Sequence, residues 1–175
     1  LWDVALSNIS DKKVLDYFLK SRISIDLTLK LESFINENNF PIAVRSSSLL
    51  EDSQYQPLAG TYETIMLSNN SKSNKERLNK LIEAIKIIYA STFNGEARTL
   101  LKNTAHRIEE EKMAILIQEV VGVKYKSNRF YPTFSGVLQS INYYPVSYMK
   151  RNEGVAYLAL GFGRTISDGE KCLRI

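Results

Sequence analysis

Two short apolar runs, Phe40–Val44 and Tyr62–Leu67, bracket a polar stretch that opens with Arg45-Ser-Ser-Ser48 and closes at Gly60. This punctuation predicts two strands flanking a polar, ligand-facing loop. Pro41 pushes the residue before it into extended backbone, which favours a strand start at Ile42. At the end of that strand Arg45 offers a planar fork of donors suited to phosphate oxygens. Ser46, Ser47 and Ser48 add hydroxyl and backbone N–H donors, and Gly60 permits close approach of backbone to a ligand. Together these residue types are suited to gripping a polyphosphate.

The rest of the chain supplies helices before and between further strands. Ser10 and Asp11 form a helix-start signal, after which Val14, Leu15, Phe18 and Leu19 share one face. A second helix is expected from Ile25 to Asn38, with Leu27, Leu31, Phe34 and Ile35 in a stripe and Asn38-Asn39 marking its end. Ser68 to Asn74 reads as a polar linker. Leu78, Leu81, Ile82, Ile85, Ile88 and Tyr89 then keep a helical period for three turns. Gly95 interrupts this pattern, and Glu96 to Ile108 is expected to form another helix. The continuous run Met113–Ile117 reads as a buried strand ending at Gln118-Glu119. A polar turn spans Lys124 to Arg129, and extended segments follow around Phe130–Ile141 and Val155–Leu160. The pattern predicts an α+β (mixed α/β) fold with no internal repeat.

Composition narrows the function classes. A chain of 175 residues with 44% hydrophobic content has room for one ordinary domain or two small lobes sharing a core. The net charge of +4 comes from scattered basic residues, so charge argues for neither a nucleic-acid nor a membrane partner. No window approaches the roughly 18–20 uncharged apolar residues of a membrane span. Leu1-Trp-Asp-Val lacks the basic flank of a signal peptide. Cys172, the single cysteine, sits in an alternating apolar segment and is expected to be a buried, inert thiol, which points to a reducing cytoplasm. His106 is the only histidine, so neither a zinc site built from histidine and cysteine nor a Ser-His-Asp hydrolase has adequate support. Six of the ten tyrosines lie between Tyr125 and Tyr157 among basic residues. That mixture also suits stacking on single-stranded nucleic acid, but tyrosine is a common strand residue and packing on a half-exposed sheet is the better reading. The first residue is not methionine and the chain stops inside an apparent strand, so a longer protein is expected.

Val44-Arg-Ser-Ser47, Glu51-Asp52 and Ala59-Gly-Thr-Tyr-Glu-Thr64 resemble the nucleotide-binding domain of phosphoenolpyruvate synthases and pyruvate phosphate dikinases. Ala114 to Val121, Phe134-Ser-Gly-Val137 and Leu160-Gly-Phe-Gly163 follow in that family's order. The resemblance covers roughly Phe40 to Ile175. It divides the chain into a helical lead-in, 1–39, and an ATP-grasp-like nucleotide-binding region, 40–175, as one compact domain or two lobes. It implies ATP and Mg²⁺ as cofactors and transfer of phosphate from ATP to a histidine on another domain, with phosphohistidine and phosphoenolpyruvate/pyruvate domains of the full-length chain as partners. It further implies that Arg45, Ser46, Ser47, Gly60 and Thr61 meet the phosphates. Glu63 would face the site or orient Arg45. Gln118, Glu119 and Val121 would offer backbone groups and aliphatic walls to adenine. The early glycine-rich, lysine-bearing segment and the phosphorylated-histidine motif of that family are not found in these residues, and Thr104-Ala-His-Arg107 does not resemble the latter.

Two departures from the family pattern bear on the chemistry. Ser140-Ile-Asn-Tyr143 stands where the family usually reads Ser-Arg-Asn-Pro, which loses an arginine. Arg164 stands where a metal-binding glutamate usually follows the Gly-x-Gly of Gly161-Phe-Gly163. A guanidinium cannot ligate Mg²⁺ but can lie against phosphate, and Asp168 and Glu170 are the nearest replacement ligands. Two readings stay open: a subfamily that has reassigned its charges, or a nucleotide-binding or interdomain docking module without phosphotransfer activity.

Overall fold

The computed structural model describes residues 9–48, 62–102, 112–126, 129–163 and 172–175. It contains helices and antiparallel sheets, a mixed α+β architecture, and its chain contacts divide it into two units, 1–120 and 121–175.

The first unit runs α1 (Asp11–Lys20), α2 (Ile25–Glu37), β1 (Ile42–Ser48), β2 (Thr64–Leu67), α3 (Asn74–Ser91), α4 (Gly95–Lys102) and β3 (Met113–Glu119). Its three strands form one sheet in the order β2-β1-β3, antiparallel throughout. The helix starts follow the sequence signals. Ser24 Oγ accepts the Leu27 N–H and Ser73 Oγ accepts the Glu76 N–H, satisfying amides that lack a partner in the first turn. Ser10 departs from this. It holds the N-cap position with extended backbone, yet its side chain makes no cap bond. Asp11 reaches across instead, to the Gly95 N–H at 2.9 Å and to Arg98 at 3.1 Å, tying α1 to the start of α4.

One face of the sheet is buried. Leu31 and Ile35 of α2, and Leu81, Ala84, Ile85 and Ile88 of α3, meet Ile42 and Val44 of β1, with Ile65, Leu67, Met113, Ile115 and Ile117 packed around them. Each fully buried Leu, Ile or Val among them contributes about 1.5–3 kcal/mol by leaving water. A smaller cluster joins α1 to the end of α3 through Val14, Ala90 and Phe93, where the Phe18 and Phe93 rings stack at 5.6 Å. The α2 residues therefore share a core with β1.

β3 corrects the expectation of a fully buried strand. Its residues alternate between half-buried and exposed, because among the described residues it is a sheet edge and the helices pack on one face. An apolar run requires burial on one face, not both.

The second unit holds the β4–β5 hairpin (Val123–Tyr125, Arg129–Tyr131) and a separate sheet in the order β6-β7-β8 (Phe134–Gln139, Val155–Leu160, Leu173–Arg174). The two strands take in Lys124, Tyr125 and Arg129 of the expected polar turn, pair antiparallel, and stack Tyr125 on Tyr131 at 4.3 Å between centroids. Between β6 and β7 the chain is anchored by fully buried Asn142. Its Oδ1 accepts from Arg174 Nη2 at 2.8 Å and from the Tyr144 N–H at 3.2 Å. Cys172 is half-buried rather than buried, next to β8, which among the described residues lies beside β7 alone. Among the described residues no helix is long and apolar enough to cross a membrane.

Candidate functional site

Strand alternation decides which part of the Arg45 motif can act together. Ile42 and Val44 must face the helices, so Ala43, Arg45 and Ser47 point to the opposite face. The register adds Thr64 directly across from Arg45 on β2, and Leu116 across from it on β3. Met66, Ala114 and Gln118 complete this face. Arg45, Thr64, Ala114 and Gln118 are exposed, as are Met66 at 54% and Leu116 at 44%. Among the described residues this face bears one cation, several hydrogen-bonding groups and a little apolar area, with Ala43 buried on it.

Arg45 is held there by a neutral partner. Its Nη1 donates to Gln118 Oε1 at 3.3 Å, on the diagonal across β1 and β3. Among the described residues the ion pairs are Lys80–Glu76 and Arg98–Asp11, and neither involves Arg45. Beyond the bond to Gln118, a guanidinium fork has further N–H donors that can meet an anion.

Ser46 does not join Arg45. It is buried on the helix-facing side, in the parity of Val44. Ser47 shares the face of Arg45. Glu63 lies elsewhere again: its N–H donates to Ser91 Oγ at 3.3 Å, and it lines a hollow of about 250 Å³ with Asp11, Lys12, Leu15 and the end of α3. The structure therefore does not bring Glu63 to Arg45. Gly60, Thr61, Arg164, Asp168 and Glu170 lie outside the described residues, as do Glu51, Asp52 and His106.

The β3 exit has a defined backbone presentation. The Val120 N–H donates to the Pro41 carbonyl at 2.8 Å. In an antiparallel ladder that bond fixes the alternation. Ala43 and Gln118 exchange hydrogen bonds, whereas Ile42 and Glu119 face each other without them. The N–H and C=O of Glu119 consequently point away from β1, toward an edge of β3 that pairs with no other strand among the described residues. A donor and an acceptor side by side on an edge can pair with the edge of a planar heterocycle. Val121, exposed, begins the second unit.

In the second unit the two remaining motifs are paired strands. Phe134 lies opposite Leu160, and Ser135 Oγ donates to the Gly161 carbonyl at 2.6 Å. Gly136 is required by packing, because a Cβ there would sit 2.5 Å from Leu158 Cδ2 and 2.6 Å from the Tyr157 carbonyl. Gly161 and Gly163 both adopt positive φ, 73° and 72°, so the turn after β7 needs residues without a Cβ. One face of this sheet is open and apolar, with Phe134 64%, Leu138 79% and Leu160 88% exposed. Among the described residues no group of three carboxylate, histidine or cysteine side chains is placed to hold a metal ion.

The sequence missed the side-chain role of Gln118 and the partners Thr64, Met66 and Leu116. Period-two counting from Arg45 separates Ser46 from Ser47 without a structure, but the diagonal to Gln118 needs the register.

Comparison with known proteins agrees with these motifs. Residues 3–171 match the family model described as the pyruvate phosphate dikinase AMP/ATP-binding domain, and the chain belongs to that family. An uncharacterized phosphotransferase of Bacillus subtilis (strain 168), YvkC, is 31% identical over 135 residues. That similarity covers 77% of this chain but 14% of the relative's length, so the chain spans a small part of that protein. Family membership supports a nucleotide-binding role.

Proposed function

We propose that this chain is the ATP-binding portion of a phosphoenolpyruvate synthase- or dikinase-like phosphotransferase of ATP-grasp architecture. It supplies phosphate from ATP to a histidine on another domain, for phosphorylation of pyruvate in the cytoplasm. The observation that carries this reading is Arg45, an arginine without a carboxylate partner among the described residues, held by Gln118 on an open sheet face inside a matched ATP-binding family. Arg45 and Ser47 would bind phosphate oxygens, together with the backbone at Gly60 and Thr61. The outward N–H and C=O of Glu119 would meet adenine. These residues contribute by fixing the phosphates and balancing their charge, which is most of what phosphoryl transfer asks of a protein. Asp168 and Glu170 have the oxygen chemistry that Mg²⁺ takes, and a cation there would neutralise charge on the phosphates. The partners would be the phosphohistidine and phosphoenolpyruvate/pyruvate domains of a longer chain.

The test is incubation of the full-length protein with labelled ATP and Mg²⁺. Acid-labile label on a histidine outside residues 1–175 is expected. Label ending on this chain, at His106 for example, contradicts the assignment.

A second reading is favoured by Arg164 and Ile141: a nucleotide-binding or docking module that has lost productive Mg-ATP chemistry. Arg164→Glu discriminates between the two. Under this second reading it restores metal-dependent nucleotide binding. Under the first it weakens binding by placing an anion beside the phosphates.

A further inference from the structure

We infer that Gln118 is a positioning residue for phosphate recognition, acting through Arg45 with its side chain; this rests on the proposed ATP-binding role of the same face. The bond from Arg45 Nη1 to Gln118 Oε1, 3.3 Å, spans 73 residues of sequence and crosses from β1 to β3. A free arginine on an open sheet samples many rotamers, and ordering it on a ligand costs up to about 2 kcal/mol of side-chain entropy. An acceptor fixed on the neighbouring strand removes part of that cost in advance.

The chemistry of the acceptor matters as much as its place. A glutamate at 118 would hold the guanidinium at least as firmly but would cancel its charge, making it a poor anion ligand. An aliphatic residue would leave the charge and lose the orientation. The amide is the one of these three that orients the cation without neutralising it. The neighbours on this face fit that division of labour: Leu116 and Met66 flank the pair with apolar surface and bring no competing carboxylate.

The consequence is a contribution to triphosphate binding that passes through Arg45. The readout is the ratio of ATP affinity to adenosine affinity, measured by calorimetry on the intact protein for wild type, Arg45→Ala, Gln118→Leu, Gln118→Glu and the Arg45→Ala/Gln118→Leu double variant. Gln118→Leu is expected to lower this ratio about fivefold, part of the side-chain ordering cost, and Gln118→Glu at least about tenfold, near the lower end for one charge-assisted hydrogen bond. In the double variant the ratio is expected to fall no further than in Arg45→Ala alone. If Arg45→Ala lowers the ratio but Gln118→Leu does not, or lowers it equally in the Arg45→Ala background, the positioning role is wrong and the phosphate role of Arg45 stands. An unchanged ratio in Arg45→Ala overturns the phosphate reading itself, and the inference with it. Circular dichroism of each variant separates these outcomes from misfolding, and Arg45→Lys, which keeps the charge without the fork, is the second variant should Arg45→Ala fail to fold.

Discussion

The Ser135 hydroxyl donates to the Gly161 carbonyl at 2.6 Å, closing together two glycine motifs that lie 26 residues apart in sequence. The register around it, Phe134 opposite Leu160 and Gly136 opposite Leu158, leaves no space for a Cβ at Gly136. Gly136→Ala is therefore expected to destabilise the second unit by about 1–3 kcal/mol, the cost of overpacking. Ser135→Ala, which leaves a carbonyl short of one partner, is expected to cost about 1 kcal/mol. Thermal unfolding of both variants checks the order of the two effects.

Arg77 is buried yet has only neutral acceptors among its recorded partners. Its Nη1 donates to the Asn38 carbonyl and to Asn69 Oδ1, and its Nη2 to the Ile35 carbonyl and to Asn74 Oδ1. Two of these belong to the C-terminal end of α2, where the helix dipole favours a cation. Arg77→Met is expected to lower stability by about 2–4 kcal/mol in urea unfolding, since it removes the side-chain donor from the Ile35 carbonyl and leaves the Asn38 carbonyl with Asn69 Nδ2. Arg77→Lys should recover less than half of the loss, because a single ammonium nitrogen lacks the planar fork whose two nitrogens reach four acceptors.

Asp11 joins α1 to α4 through the Gly95 N–H and Arg98. Asp11→Ala is expected to cost about 1 kcal/mol. Hydrogen exchange at the Gly95 amide gives the local check, and exchange faster than in the wild type is the expected result.

Much of this was legible before the structure, for identifiable reasons. The helix faces of Val14–Phe18, Leu31–Ile35 and Leu78–Ile88 follow from a period that local sequence carries on its own. The β1 start at Ile42 follows from Pro41. What sequence could not reveal depends on which strand lies beside which. β3 reads as buried until its edge position is known. Period-two alternation separates Ser46 from Ser47 in the sequence, and the structure adds that Ser46 is the one on the helix-facing side. Glu63, which the sequence places facing the site or orienting Arg45, lines the hollow with Asp11 and the end of α3. Gln118 enters the site by side chain only because β1 and β3 are antiparallel neighbours in one register.

Binding of ATP to the wild type and to Arg45→Ala, compared by calorimetry with circular dichroism as the control for folding, tests the central claim most directly. The account predicts that the variant keeps its fold and binds ATP about 1.5–3 kcal/mol more weakly, as expected for loss of a charge-assisted contact to phosphate. Equal affinity in two equally folded proteins would contradict it.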